Sequence, residues 1–252
     1  MKVQVAPSTA IGSKMSIDRS LNYGRHLIRQ YLEMSMPFHS VLDLGAGLGA
    51  DLNIASTLAP STKRLAVEVH SAYASKLRAL GMSVYEINIE KDALPFPDAS
   101  IDVIIANQVL EHTKDIFWIF HEVTRVLRRG GKLIIGVPNL ASLHNRILLA
   151  AGRHPTPIKM ASAHVRGFTK RDLIAFISCC FPAGYSLRAF GGSNFYPFPP
   201  TLAKPLARIW PALAWGIFLL LEKQNDYCGE FLKFPIMESL ETNYYLGPQN
   251  LK

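Results

Sequence analysis

The chain has 252 residues, of which 49% are hydrophobic and 18% charged, and it carries a net charge of +8. That balance supports a buried core and excludes a disordered, collagen-like or disulfide-stapled protein. Its cysteines, Cys179, Cys180 and Cys228, form no metal spacing and no even-numbered framework, so buried thiols in a reducing compartment are expected.

In chain order, residues 1–16 read as a loose arm, without the basic-then-apolar pattern of a secretory leader. Ile17–Met34 has apolar or aromatic residues at Leu21, Leu27, Ile28, Tyr31 and Leu32 and predicts an amphipathic helix capped by Asp18. Short apolar runs then alternate with helical patterns. The runs Ser40–Leu44, Arg64–Glu68, Ser83–Asn88, Ile101–Ala106 and Lys132–Val137 predict strands. Ala50–Leu58, Ser71–Leu80 and Asp115–Arg128 predict the helices between them, and this alternation implies a parallel sheet. Arg129-Gly130-Gly131 is expected just past a helix end.

The pattern breaks over 139–168, where Pro155, Pro157 and three histidines predict an inserted segment on the substrate side. Thr169–Cys180 predicts a helix capped by Thr169. Tyr185–Phe190 and Trp215–Leu221 predict two last strands, with Gly191–Pro200 as a surface loop. The apolar run Ile209–Leu221 is too short for a membrane span of ~20 residues and is interrupted by Pro211 and Gly216, so it predicts a helix end and a buried strand. Residues 17–223 therefore form one domain and 224–252 a tail. The whole charge excess lies between Asn139 and Leu221, which points that half at an anion: a phosphate, a nucleic acid or an acidic lipid headgroup.

The most informative segment is Val41-Leu-Asp-Leu-Gly-Ala-Gly-Leu-Gly-Ala50, a strand that ends in a carboxylate and turns through three glycines into a helix. Such glycines let a ligand approach the backbone without a Cβ in the way. Glu68 ends the next strand, where a carboxylate can accept from both hydroxyls of a ribose. Dinucleotide sites set a pyrophosphate on the helix N-terminus. Asp43 and Asp51 flank the turn here and would repel it, but they suit the cationic groups of S-adenosylmethionine.

With Leu94-Pro-Phe-Pro-Asp-Ala-Ser-Ile-Asp-Val-Ile-Ile105, Leu110-Glu-His112 and Arg125-Val-Leu-Arg-Arg-Gly-Gly-Lys-Leu-Ile-Ile135, the chain resembles the class I S-adenosylmethionine-dependent methyltransferases over roughly 40–139. Within them it resembles the small-molecule family that includes quinone and sterol C- and O-methyltransferases. Val137-Pro-Asn139 and His164-Val-Arg-Gly-Phe-Thr169 resemble a subset associated with glycan- or lipid-linked substrates. The resemblance implies a Rossmann-like α/β fold: a seven-stranded sheet, mostly parallel with one antiparallel C-terminal strand, and helices on both faces.

Carried over by position, it implies that Asp43, Gly45, Ala46, Gly47 and Gly49 hold the methionine part and that Glu68, with Val69 beside it, holds the ribose. Asn88, with Ile89, stands where the adenine amino group is met, although Glu90 is an alternative and the family usually has an acidic residue there. Asn107 and Gln108 lie under the sulfonium. His112 is a candidate general base, and His164 is a second, or an anion-binding partner of Arg166. The histidines fall at no recognised ligand spacing, so no metal is expected.

The expected function is methyl transfer to a small or lipid- or glycan-linked, anionic acceptor. An RNA methyltransferase is the alternative, against which stands the lack of an appended RNA-binding module. A methyltransferase-like protein that binds without catalysis is a third reading. The expected location is the cytoplasm, with peripheral contact at the inner face of a membrane left open.

Overall fold

The computed structural model describes residues 18–240 and 244–247. The arm 1–16 lies outside the described residues. Seven strands form one sheet: β1 (Ser40–Leu44), β2 (Lys63–Val67), β3 (Ser83–Tyr85), β4 (Ile101–Asn107), β5 (Leu127–Pro138), β6 (Tyr185–Ser193) and β7 (Gly216–Lys223). Their order is β3-β2-β1-β4-β5-β7-β6. The first five are parallel, while β7 runs antiparallel to both β5 and β6. That is the predicted sheet, with Ile217–Leu221 inside it. Every residue of β1 is buried, as a central parallel strand covered on both faces requires.

Helices α1 (Arg25–Met34), α2 (Ala50–Leu58) and α3 (Ser71–Ala79) cover one face, and their core joins Ile28, Leu32, Leu52 and Leu77 to Val41, Ile105 and Phe218. On the other face, α4 (Ile116–Val126), α6 (Lys170–Cys180) and α8 (Glu230–Met237) bury Phe120, Ile177 and Phe231 against Leu42, Ile104 and Leu219. Helix α4 is apolar nearly all round, which calls for burial on several sides. Helix α8 supplies the second cover: its fully buried Phe231 lies 5.3 Å, ring to ring, from Phe120. The segment 224–252, read from sequence as a tail, thus contributes a packed helix. Helices α5 (Leu143–Ala150) and α7 (Pro200–Ile209) complete the fold. Among the described residues no helix is long and apolar enough to cross a membrane.

Four expectations change. The single helix Ile17–Met34 is instead a short 3-10 turn, Arg19–Tyr23, capped by Asp18, and then α1. Gly24 separates them at φ 51, a left-handed conformation that glycine adopts cheaply. The Arg129–Gly131 stretch lies within β5 rather than past a helix end. Leu127 already pairs with Ile101, the register shifts there, and Gly130 bends back at φ 73. Strand β3 stops at Tyr85, because Asn88 and Asp92 draw the chain into a turn: the Asn88 N–H donates to Asp92 Oδ2 at 2.7 Å. Gly191–Ser193 continues β6, and Asn194 and Phe195 beyond it are buried, so only the later part of Gly191–Pro200 reaches the surface.

Candidate active site

The strand order reverses between β1 and β4, and a ligand crevice is expected beyond the carboxyl ends of those strands. A cleft of about 750 Å³ opens there. Into it the fold brings Asp43, Gly45, Ala46, Gly47, Glu68, Asn107, Gln108, His112 and His164, all singled out in the sequence. Gly49 sits behind it as the left-handed N-cap of α2, packed against Leu77 and Met82. Val69, Asn88 and Ile89 are not among the lining residues. Val69 is 61% exposed, and the Asn88 amide oxygen already accepts from the Glu90 N–H at 2.9 Å.

The glycine turn is locked by Glu68. Its Oε2 accepts from the Gly47 N–H at 2.8 Å and its Oε1 from the His70 N–H at 2.9 Å. Gly45 and Gly47 have φ of 68 and 54, and nothing lies within 4 Å of where a Gly47 Cβ would stand. A ligand can therefore approach that backbone closely.

Three carboxylates, Asp43, Asp51 and Glu68, are buried together. Burial, then the charges of Asp51 and Glu68, pushes the Asp43 carboxyl well above the ordinary aspartate range. Burial also raises Asp51, against the opposing hydrogen bond from Asn107 (2.7 Å) and the charge of Arg25. Arg25 compensates only in part, since it is half-exposed with its Nε 3.7 Å from Asp51. Such a concentration of negative charge fits a cationic ligand and opposes a pyrophosphate. The amide oxygen of Asn107 and the amide nitrogen of Gln108 are buried without a hydrogen-bond partner. The residues thus fit S-adenosylmethionine, with its ammonium, sulfonium and ribose.

Several lining residues were not singled out as site residues in the sequence. Arg19, Asn22, Tyr23 and Arg25 cover the cleft from the N-terminal segment, and Tyr73, Glu111, Pro138 and Trp215 line it as well. Gly24 within the helical pattern was the signal for the first group. Glu111 is 1% exposed, and burial raises its carboxyl to about 7. Its Oε2 has no hydrogen-bond partner. The rings of His112 and His164 meet edge to face at 4.6 Å. Burial, then the neighbouring His112, lowers the His164 pKa. The spacing rule that predicted no metal sees only neighbours in sequence; folding brings the potential ligand atoms of Glu111, His112 and His164 within 4.8 Å of one another.

Residues 42–135 match the family described as "Methyltransferase domain". A protein of Mycobacterium tuberculosis named a probable S-adenosylmethionine-dependent methyltransferase is 31% identical over 156 residues, which are 62% of this chain and 53% of that one. The chain spans about half the length of that relative. An S-adenosylmethionine-dependent methyltransferase of Mesorhizobium loti shares the fold, with a TM-score of 0.52 at 16% identity over 77% of this chain and 96% of that one. So does the [4+2]-cyclase SpnF, with a TM-score of 0.57 at 17% identity over 79% and 81%. Residues 42–135 thus match a methyltransferase-domain family, and the sheet and cleft around them are those of S-adenosylmethionine-dependent methyltransferases of known structure.

Proposed function

We propose that the chain methylates a small acceptor that carries an acidic group and is linked to lipid or glycan. The observation that carries this reading is a second cavity, of about 650 Å³, lined from the residue that follows the last strand residue of the cofactor cleft. Pro138 lines the cleft and the next residue, Asn139, lines the groove. Arg146, Lys170 and Arg171 bring three positive charges to it against Asp172, while Ile174 and Ile217 give it apolar walls. That combination suits an acidic group on an apolar carrier. Nearby, α5 leaves Ile147 and Leu149 exposed, and Trp210 beyond α7 is exposed too, as a surface that meets lipid would.

S-adenosylmethionine supplies an electrophilic methyl group. Glu68 would hold its ribose, Asp43, Asp51 and the glycine turn its methionine part, and Asn107 and Gln108 the base of the cleft. Glu111, His112 and His164 stand at the acceptor end, and Tyr23 and Arg25 cover the crevice and limit water.

Three measurements test the reading. Calorimetry with S-adenosylmethionine should give binding, and its absence at millimolar cofactor would remove the enzyme reading. Labelled cofactor with fractionated lysate should then place the methyl group in small-molecule or lipid extracts. The double substitution Lys170→Glu with Arg171→Glu should raise the acceptor KM about tenfold or more, at little cost in kcat. Label in bulk tRNA, with salt-sensitive binding, would overturn the acceptor class.

A further inference from the structure

We propose that Glu111, His112 and His164 form a binding site for a divalent transition cation of the zinc class at the acceptor end of the cleft. Two segments far apart in sequence build it. Glu111 and His112 belong to the 3-10 turn Leu110–His112 that follows β4, and His164 comes from the inserted segment. Backbone bonds clamp the two together: the Glu111 carbonyl accepts from Val165 N–H at 2.8 Å and from Arg166 N–H at 3.2 Å.

Each side chain has an atom available to a ligand. The His112 Nδ1 faces the Ala163 carbonyl at 3.3 Å, which leaves Nε2 for a ligand. The His164 Nδ1 is buried and has no partner. The Glu111 carboxylate is almost wholly buried with Oε2 unpartnered. Imidazoles oriented by a backbone carbonyl on one nitrogen and open on the other are the usual arrangement of metal-bound histidines. All three residues line the cleft, with candidate ligand atoms within 4.8 Å of one another.

A core-packed histidine pair beside a protonated acid is the competing account. It leaves a buried carboxyl oxygen and a buried ring nitrogen without partners, an uncommon and unfavourable state. A cation satisfies all three groups at once. Two imidazoles and one carboxylate select a transition cation over magnesium or calcium, which prefer all-oxygen shells. Three protein ligands also leave coordination positions open towards the cleft.

An acceptor oxygen bound there would be polarised by the cation, in place of the general-base role expected of His112 or His164 from the sequence. That placement rests on the proposed function; cation binding does not.

The test uses the whole chain, stripped with chelator and titrated with Co²⁺, then Zn²⁺. One equivalent of Co²⁺ should give visible ligand-field absorption that Zn²⁺ displaces. His164→Ala and Glu111→Gln should each weaken binding about 100-fold or more, with an unchanged circular dichroism spectrum as the check on folding. Absence of one-equivalent binding, or binding indifferent to both substitutions, would overturn the site. If the stripped chain binds cofactor but no cation, the metal site falls and the methyltransferase reading stands.

Discussion

Glu68→Gln is the sharpest test of how the cofactor site is held. In the native chain the two carboxylate oxygens accept separate backbone bonds, from Gly47 at 2.8 Å and His70 at 2.9 Å. A hydrogen bond to an ionised group contributes about 1.5–3 kcal/mol. Glutamine keeps the volume but offers one acceptor oxygen and turns an NH₂ towards the other N–H. One charge-assisted bond is lost, the second becomes neutral and weakens by roughly half. The ribose hydroxyls lose an acceptor as well. A binding loss of about 2–3 kcal/mol corresponds to a Kd for S-adenosylmethionine raised roughly 30–150-fold. The same lost bonds, at about 2 kcal/mol, should lower Tm by roughly 4–8 °C. Calorimetry on the wild-type and variant chains reads the first effect and scanning calorimetry the second. A folded variant that binds cofactor within threefold of wild type would refute the assignment of Glu68 to the ribose.

The glycine turn makes a graded prediction. Gly49→Ala puts a Cβ within 2.8 Å of Leu77 and Met82 at φ 76, and should cost about 2–4 kcal/mol of stability in urea denaturation. Gly47→Ala meets nothing within 4 Å, so only the left-handed conformation opposes it, at about 1 kcal/mol, while cofactor affinity falls through crowding of the cleft. The acidic cluster sets a pH dependence. The Asp43 and Asp51 carboxyls are raised above the ordinary aspartate range, so the folded chain keeps protons that the unfolded chain has released. Their contribution to apo stability is therefore present below the ordinary aspartate range and lost as pH rises through the raised pKa values. A cationic cofactor favours the ionised forms, so its binding should release protons and its stabilising effect on Tm should grow with pH. Calorimetry in buffers of different ionisation enthalpy detects the release, and proton uptake would contradict it. Finally, Lys223 is buried with Nζ donating to the Thr124 and Leu127 carbonyls at 2.6 and 2.7 Å. Lys223→Met leaves both oxygens unpaired and should lose about 2–4 kcal/mol in the same denaturation assay.

Legibility in the sequence followed how local the cause was. Strand β1 and helix α2 have the predicted bounds, because a short apolar run, a carboxylate and three glycines act within a few positions. Strand β7 was visible from its apolar run alone. Asn88 was placed by analogy with the family, yet its own side chain closes a turn that ends β3 early, a local competition that pattern matching ignores. Arg19 to Arg25 were hidden because an amphipathic pattern reads the same whether or not Gly24 breaks it. Glu111 looked like an ordinary loop acid beside a histidine. Its meaning comes from a segment some 50 residues later, which seals its backbone and removes it from water.

The position of β7 has a consequence for how the protein comes to be functional. The strand nearest the end of the sheet in chain order lies inside it in space, between β5 and β6. Its Phe218 ring lies against Gly24, and its carbonyl accepts from the Tyr31 hydroxyl at 3.2 Å. The segment that covers the cofactor cleft therefore rests on a strand made last. The glycine turn and Glu68 lie early in the chain, but the roof over them is seated on residue 218. Whatever loosens the β5–β7–β6 edge of the sheet therefore also loosens the roof of the cleft.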